Sequence, residues 1–314
     1  MGNDPVGAPK PHPNTGPEEA FGSRMLEDFV ELKDSYNGSV RCLVSLSNIL
    51  LCGGCADFKI RVWNIVTMTC VMTLPGHAAE IRSVTAVDNC TKICSACLNG
   101  VIKVWDSETG ACKAELEDES GKVFCMISLM DGRLCSGSSG NIKLWDYTVG
   151  IVCGSMEIQT EKISCLCQMS DGKLCSGSSG IIRVWDLNAV ACVSVLRGHN
   201  GTVVSLLQLS NGLLCSSSYD HSIRIWTVQL GQCQVTISGY STVFWSLTEL
   251  SNGYIGAGGN DGSIHIFSPT SSESLKVIEG HIGAVRALLS LSGVRLCSGC
   301  DKTPLRIWYH SEDC

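Results

Sequence analysis

The sequence predicts an all-β chain built from seven copies of one four-stranded unit. Three observations carry that prediction. An aromatic residue recurs at Trp63, Trp105, Trp145, Trp185, Trp226, Phe267 and Trp308, with gaps of 42, 40, 40, 41, 41 and 41 residues. Each interval holds short runs rich in Val, Ile and Leu, and no stretch sustains a helical period. The pairs Asp131-Gly132, Asp171-Gly172, Asn211-Gly212 and Asn252-Gly253 all fall between the same two runs. Such pairs are hairpin turns, because they supply the positive backbone angles a tight β-turn needs.

The fifth repeat shows the elements in order. CVSVL (192–196) is followed by GHNGT (198–202), VVSLLQL (203–209) and the turn Ser210-Asn211-Gly212. LLCSSS (213–218), the turn YDHS and the run IRIW up to Trp226 complete it. Four β-branched or Leu-rich runs separated by Gly, Asn, Asp and Ser read as four antiparallel strands.

The residues at the repeat boundaries then resemble the WD40 family. Gly76-His77, Gly198-His199 and Gly280-His281 open repeats, and Trp105-Asp106, Trp145-Asp146 and Trp185-Asp186 close them. The resemblance spans about residues 28–310 and implies a seven-bladed β-propeller. Only YHSEDC follows Trp308, whereas Phe29-Val30-Glu31-Leu32 precedes the first repeat. An N-terminal strand is therefore expected to complete the last blade and hide its open edge. Residues 1–27 hold five prolines and few apolar groups and are expected to be a disordered tail before a single domain over 28–314.

Composition narrows the function. Apolar residues make up 44% of the 314-residue chain and the net charge is -7, which disfavours nucleic-acid binding through bulk charge. No run of 18 apolar residues and no signal-type segment occurs, so a cytoplasmic or nuclear protein is expected, without membrane association. Its 20 cysteines are then expected to be reduced. Cys52, Cys94, Cys135, Cys175, Cys215 and Cys297 share one register position, and Cys70, Cys112, Cys153, Cys192 and Cys233 share a second. Both sets are expected to pack between blades as small apolar groups. The CxxC pairs Cys52/Cys55, Cys94/Cys97 and Cys297/Cys300 invite a zinc reading. Residues three apart on a strand face opposite ways, however, and the pairs lie in different blades, so no metal or other cofactor is expected.

No GxxxxGK, HExxH or GxSxG motif is present, and GAGGNDG (256–262) leads into a strand rather than a helix. The chain is expected to be no enzyme and to take no small-molecule substrate. The resemblance implies that the opening His, the turn acid and the Trp of a blade form a buried hydrogen-bond network. The members here are His77, Asn99 and Trp105; His199, Asp220 and Trp226; and His281, Asp301 and Trp308. Catalysis is the other reading of a His–Asp pair, but the third and fourth repeats lack both partners, as an internal structural network would allow.

The resemblance also implies that the residues flanking each leading Val or Ile are exposed on one face around the channel. Five of those fourteen are basic and one is acidic. Arg41, Arg82, Lys122, Phe124, Lys162, Phe244 and Arg286 are the candidates there, with Tyr219 from a neighbouring turn. An arginine cluster on a rigid rim suits an acidic or phosphorylated peptide, and the aromatics suit an apolar anchor. Scattered solvated cations are the plain alternative. The expected function is a non-catalytic scaffold that binds a peptide segment or protein surface within a multiprotein complex. The alternatives are a substrate-recognition subunit of a ubiquitin ligase and a subunit of an RNA-associated complex. No adaptor domain or Arg two residues after the Trp-Asp pair supports the first, and only the basic rim supports the second.

Overall fold

The computed structural model describes residues 28–32, 39–292 and 295–309. The expected tail at 1–27 lies outside the described residues. Among the described residues the regular structure is all strand, joined by turns and loops, apart from the 3-10 turn Val228–Leu230. The strands form antiparallel four-stranded units, and two of these are fused into one seven-stranded sheet by the long strand Ala191–Gln208. That strand closes the fourth blade with its first half and opens the fifth with its second half.

Repeats and blades are out of phase by one strand. The first run of each repeat pairs with the preceding blade, as Trp185 opposite Cys192 and Trp226 opposite Cys233 show. The last repeat therefore lacks an outer strand, and Asp28–Glu31 supplies it by pairing along Arg306–Tyr309. Phe29 lies 4.9 Å from the Trp308 ring and Glu31 accepts hydrogen bonds from Arg306, which fixes the register of this short strand.

The core lies between blades. One apolar cluster joins Leu209, Cys215, Ile223 and Ile237 of the fifth blade to Phe244, Leu247, Ile255 and Phe267 of the sixth. Each such side chain contributes about 1.5–3 kcal/mol on burial. Close approach is set by a small residue on the second strand of each blade. A Cβ on Gly54 would sit 2.5 Å from Ile81, and one on Gly299 would sit 2.9 Å from Val40. The second of these contacts brings the last blade against the first.

The two cysteine positions differ. Cys52, Cys94, Cys135, Cys175, Cys215 and Cys297 are fully buried in the inter-blade core. The second set is not. Cys112, Cys153 and Cys192 are exposed, because their strands are the outermost of each blade and have no neighbour beyond them. Burial pushes the Cys55 and Cys94 thiols up to about 12, so these two members of CxxC pairs are held as neutral thiols.

Candidate functional site: the rim and its cavity

Within a blade, the buried network is organised by a serine on the second strand. In the fifth blade His199 Nδ1 lies 2.9 Å from Asp220 Oδ2, and its Nε2 lies 2.8 Å from Ser216 Oγ. Trp226 Nε1 donates to the same Ser216 oxygen at 2.8 Å. Asp220 also accepts from Ser222 and from the backbone N–H of Asn200. Burial pushes its carboxyl up, but the donors from Ser222, Asn200 and His199 outweigh that and bring it down to about 2.

The other blades vary this plan. His77 Nε2 meets Ser95, which also accepts from Trp105, while Nδ1 faces the Cys97 thiol at 3.0 Å. Asn99 is one step removed: it accepts from Cys97 and does not bond His77 directly. In the seventh blade His281 and Trp308 share Ser298, but Nδ1 meets Thr303 Oγ1 at 2.6 Å. Asp301 is therefore not a member of that network. Leu296 to Trp308 has the same length as Leu214 to Trp226, so Asp301 stands at the position of Tyr219, one residue before that of Asp220. The backbone N–H of Asp301 bonds the Ala284 carbonyl as that of Tyr219 bonds the Thr202 carbonyl, which puts the carboxylate on the rim.

The third and fourth blades lack the histidine but keep the Trp–serine bond, at Trp145–Ser136 and Trp185–Ser176. The histidine's place is taken by ion pairs from the recurring basic residue. Lys143 reaches Asp118 at 2.7 Å, and Arg183 reaches Glu161 at 2.8 Å. The sixth blade is aromatic instead: Tyr240, Phe244, His265 and Phe267 pack with ring centroids 5.2–5.8 Å apart.

The loops before the inner strands and the turns between second and third strands share one face, called the top face below. A cavity of about 650 Å³ opens among them and is lined by residues of all seven blades. Arg41, Arg82, Phe124, Lys162, Tyr219 and Arg286 all line it. Two rim candidates do not. Lys122 is exposed but outside the lining. Phe244 is fully buried, because it is itself the leading residue of its inner strand and pairs with Gly259 as Val203 pairs with Ser218. Its neighbour Trp245 lines the cavity in its place. The repeat step already signals this: Phe244 stands 41 residues after Val203 and 41 before Val285.

The arginines on this rim are tied to acids. Asp301 accepts from Arg41 Nη1 at 2.5 Å, from Ser39 at 3.1 Å and from Arg286 at 3.1–3.2 Å. Glu80 Oε1 lies 2.7 Å from Arg41 Nε and 3.3 Å from Arg82 Nη1. Burial raises the Asp301 carboxyl, yet the hydrogen bond from Arg286 and the charges of Arg41 and Arg286 hold it below the usual carboxylate range. Arg286 lies 3.9 Å over the Trp245 ring, and Tyr219 meets Trp245 edge-on at 5.4 Å. Across the cavity Lys162 lies 4.2 Å over Phe124. Cys42 and Cys125 line the wall below, their thiols pushed up to about 12 by burial. What the rim offers chemically is fixed charge and aromatic surface.

Comparison with known proteins agrees with the repeat structure. Residues 68–106, 110–146, 152–186 and 190–227 match the family model described as WD domain, G-beta repeat. The chain is 28% identical over 92 residues to the Retinoblastoma-binding protein 5 homolog of Drosophila melanogaster, covering 29% of this chain and 19% of that protein. It is 41% identical over 75 residues to the Ribosome biogenesis protein WDR12 homolog of Nematostella vectensis, covering 23% and 17%. Over 71 residues it is 34% identical to human Pre-mRNA-processing factor 17, covering 22% and 12%. The matched segments thus span less than a fifth of each relative.

Proposed function

Because the chain belongs to the WD40-repeat family, we propose that it is a non-catalytic interaction scaffold that binds a peptide segment or protein surface at the top-face cavity. The observation that carries this reading is the cavity itself, about 650 Å³, walled by every blade and rimmed by fixed cations beside Trp245, Tyr219 and Phe124. Its volume is that of a site for several side chains. Rigid strands support the rim, so little conformational freedom is lost on binding. The exposed aromatics suit an anchoring apolar side chain, and the excess of cations suits an acidic or phosphorylated one.

A place within a larger assembly, with other proteins as partners, is supported by the company the chain keeps. Two of its relatives bear names from ribosome biogenesis and pre-mRNA processing. Those names also favour a second reading, a subunit of an RNA-associated complex.

Quantitative affinity purification tests the site. Trp245→Ala should remove a defined set of co-purifying proteins that Met130→Asp, an exposed change on the opposite face, leaves in place. If both variants retain the same set, the top face is not the binding surface. RNA that co-purifies and is released as salt rises would favour the second reading.

A further inference from the structure

The rim cations are not equivalent. Arg41 and Arg286 are held by carboxylates: Arg41 lies between Asp301 and Glu80, and Arg286 donates twice to Asp301 while stacking on Trp245. Arg82 is held much less firmly. Among the described residues its single ion pair, at 3.3 Å, is to the Glu80 oxygen that Arg41 already approaches at 2.7 Å. Its Nε is buried and has no hydrogen-bond partner; that of Arg41 has none either, but lies 2.7 Å from the Glu80 carboxylate. Among the described residues, no carboxylate lies within ion-pair distance of Lys162, whose contact is with the Phe124 ring.

Arg82 and Lys162 share the cavity wall. Lys162 is held below the ordinary lysine range first by burial and then by the charge of Arg82, with a smaller contribution from Lys122. Two like charges thus face one space, and the carboxylate paired with one of them, Glu80, is shared with Arg41. A buried guanidinium nitrogen without a partner costs free energy that a suitable acceptor would recover.

We propose that a phosphorylated side chain of the bound peptide enters between Arg82 and Lys162 against Phe124, while Arg41 and Arg286 are structural. The chemistry favours a phosphate over a carboxylate. A carboxylate has two oxygens and forks well to one guanidinium. A phosphate has three acceptor oxygens and a charge near -2, so it can serve the Arg82 fork and the Lys162 ammonium together. The proposal rests on the top-face reading and assigns one corner of that site.

The test uses the full chain and degenerate nonapeptide libraries with a fixed central phosphoserine, glutamate or serine, read by fluorescence polarisation. The wild type should favour the phosphoserine library over serine by roughly tenfold or more, as charge-assisted hydrogen bonds predict. Arg82→Gln and Lys162→Gln should each erase most of that preference, whereas Arg286→Gln should change it by less than about threefold. Lys162 is exposed, so Lys162→Gln tests the site without risk to folding. Equal binding of the glutamate and phosphoserine libraries would overturn the phosphate assignment, as would failure to bind any library. An unchanged preference in the Arg82→Gln/Lys162→Gln double variant would overturn the location. In that event, loss of all binding in Trp245→Ala would leave the top-face reading standing, and its retention there would sink both.

Discussion

Arg41 of the first blade and Asp301 of the seventh, 260 residues apart in sequence, meet at 2.5 Å. Asp301 also holds Arg286, and Arg41 also holds Glu80, so one chain of charge runs across blades seven, one and two. This chain spans the junction between the last repeat and the first. The acid stands at the rim position that Tyr219 fills in the fifth blade, one residue before the position of Asp220.

Asp301→Ala should destabilise the protein by about 1–2 kcal/mol, because Arg41, Arg286 and Ser39 all lose an acceptor in a half-buried setting. Urea unfolding of wild type and variant measures the difference. A midpoint shifted by no more than experimental error would mean that the rim ions are solvated and contribute nothing.

The serine at the centre of each buried network carries different loads in different blades. Ser216→Ala leaves both Trp226 Nε1 and His199 Nε2 without a partner, while Ser136→Ala strands only Trp145 Nε1. The first should cost about 2–4 kcal/mol and the second about 1–2 kcal/mol. Equal losses in the two variants would count against the shared-serine network.

Stability should fall as the medium is acidified from neutrality. Burial, with a smaller contribution from the Lys103 charge, lowers His77 to about 4. Burial and the Arg306 charge lower His281 to about 3, and burial lowers His199 against the opposing pull of Asp220. In the unfolded chain each histidine takes up its proton near pH 6.5. Below that pH the unfolded state binds protons that the folded state refuses. The stabilisation is therefore complete above about 6.5 and is lost progressively towards 4 and 3. The slope approaches about 1.4 kcal/mol per pH unit for each histidine. Urea midpoints at pH 7.5 and 5.0 measure it, and His281→Gln should flatten the difference. Equal wild-type midpoints at the two pH values would contradict the buried neutral state.

Gly299→Ala should weaken the junction between the last and first blades. The added methyl would stand 2.9 Å from Val40 Cβ and 3.2 Å from its carbonyl oxygen. Overpacking of this kind costs about 1–3 kcal/mol. Gly212→Ala is the comparison, since its Cβ would meet nothing within 4 Å and only the positive φ of 84° is strained. A stability loss in Gly299→Ala no larger than in Gly212→Ala would mean that this contact yields freely.

The propeller was legible because its signal is repeated: a turn or an aromatic that is ambiguous once is decisive seven times. The same repetition carried information that strand-by-strand reading passed over. Counting 41 residues from Val203 lands on Phe244, but the apolar Val243 beside it masks the register, and the rim aromatic Trp245 is missed. Ser95, Ser136, Ser176, Ser216 and Ser298 also recur in step, nine or ten residues before their tryptophans, and mark the centre of each network. Other features have no sequence signature. Arg41 and Glu80 lie on adjacent blades and meet only because the inner strands converge on the axis. Asp301 stands one position earlier in its turn than Asp220 does, which a motif match tolerates and a hydrogen bond does not.

The affinity of one phosphoserine peptide from the selected library, measured for the wild type, Trp245→Ala, the Arg82→Gln/Lys162→Gln double variant and Met130→Asp, bears on the top-face site as a whole. The first two variants should weaken binding by roughly tenfold or more, and Met130→Asp should bind as the wild type does. Binding that survives both cavity variants and fails in Met130→Asp would place the interaction on the opposite face and contradict the account.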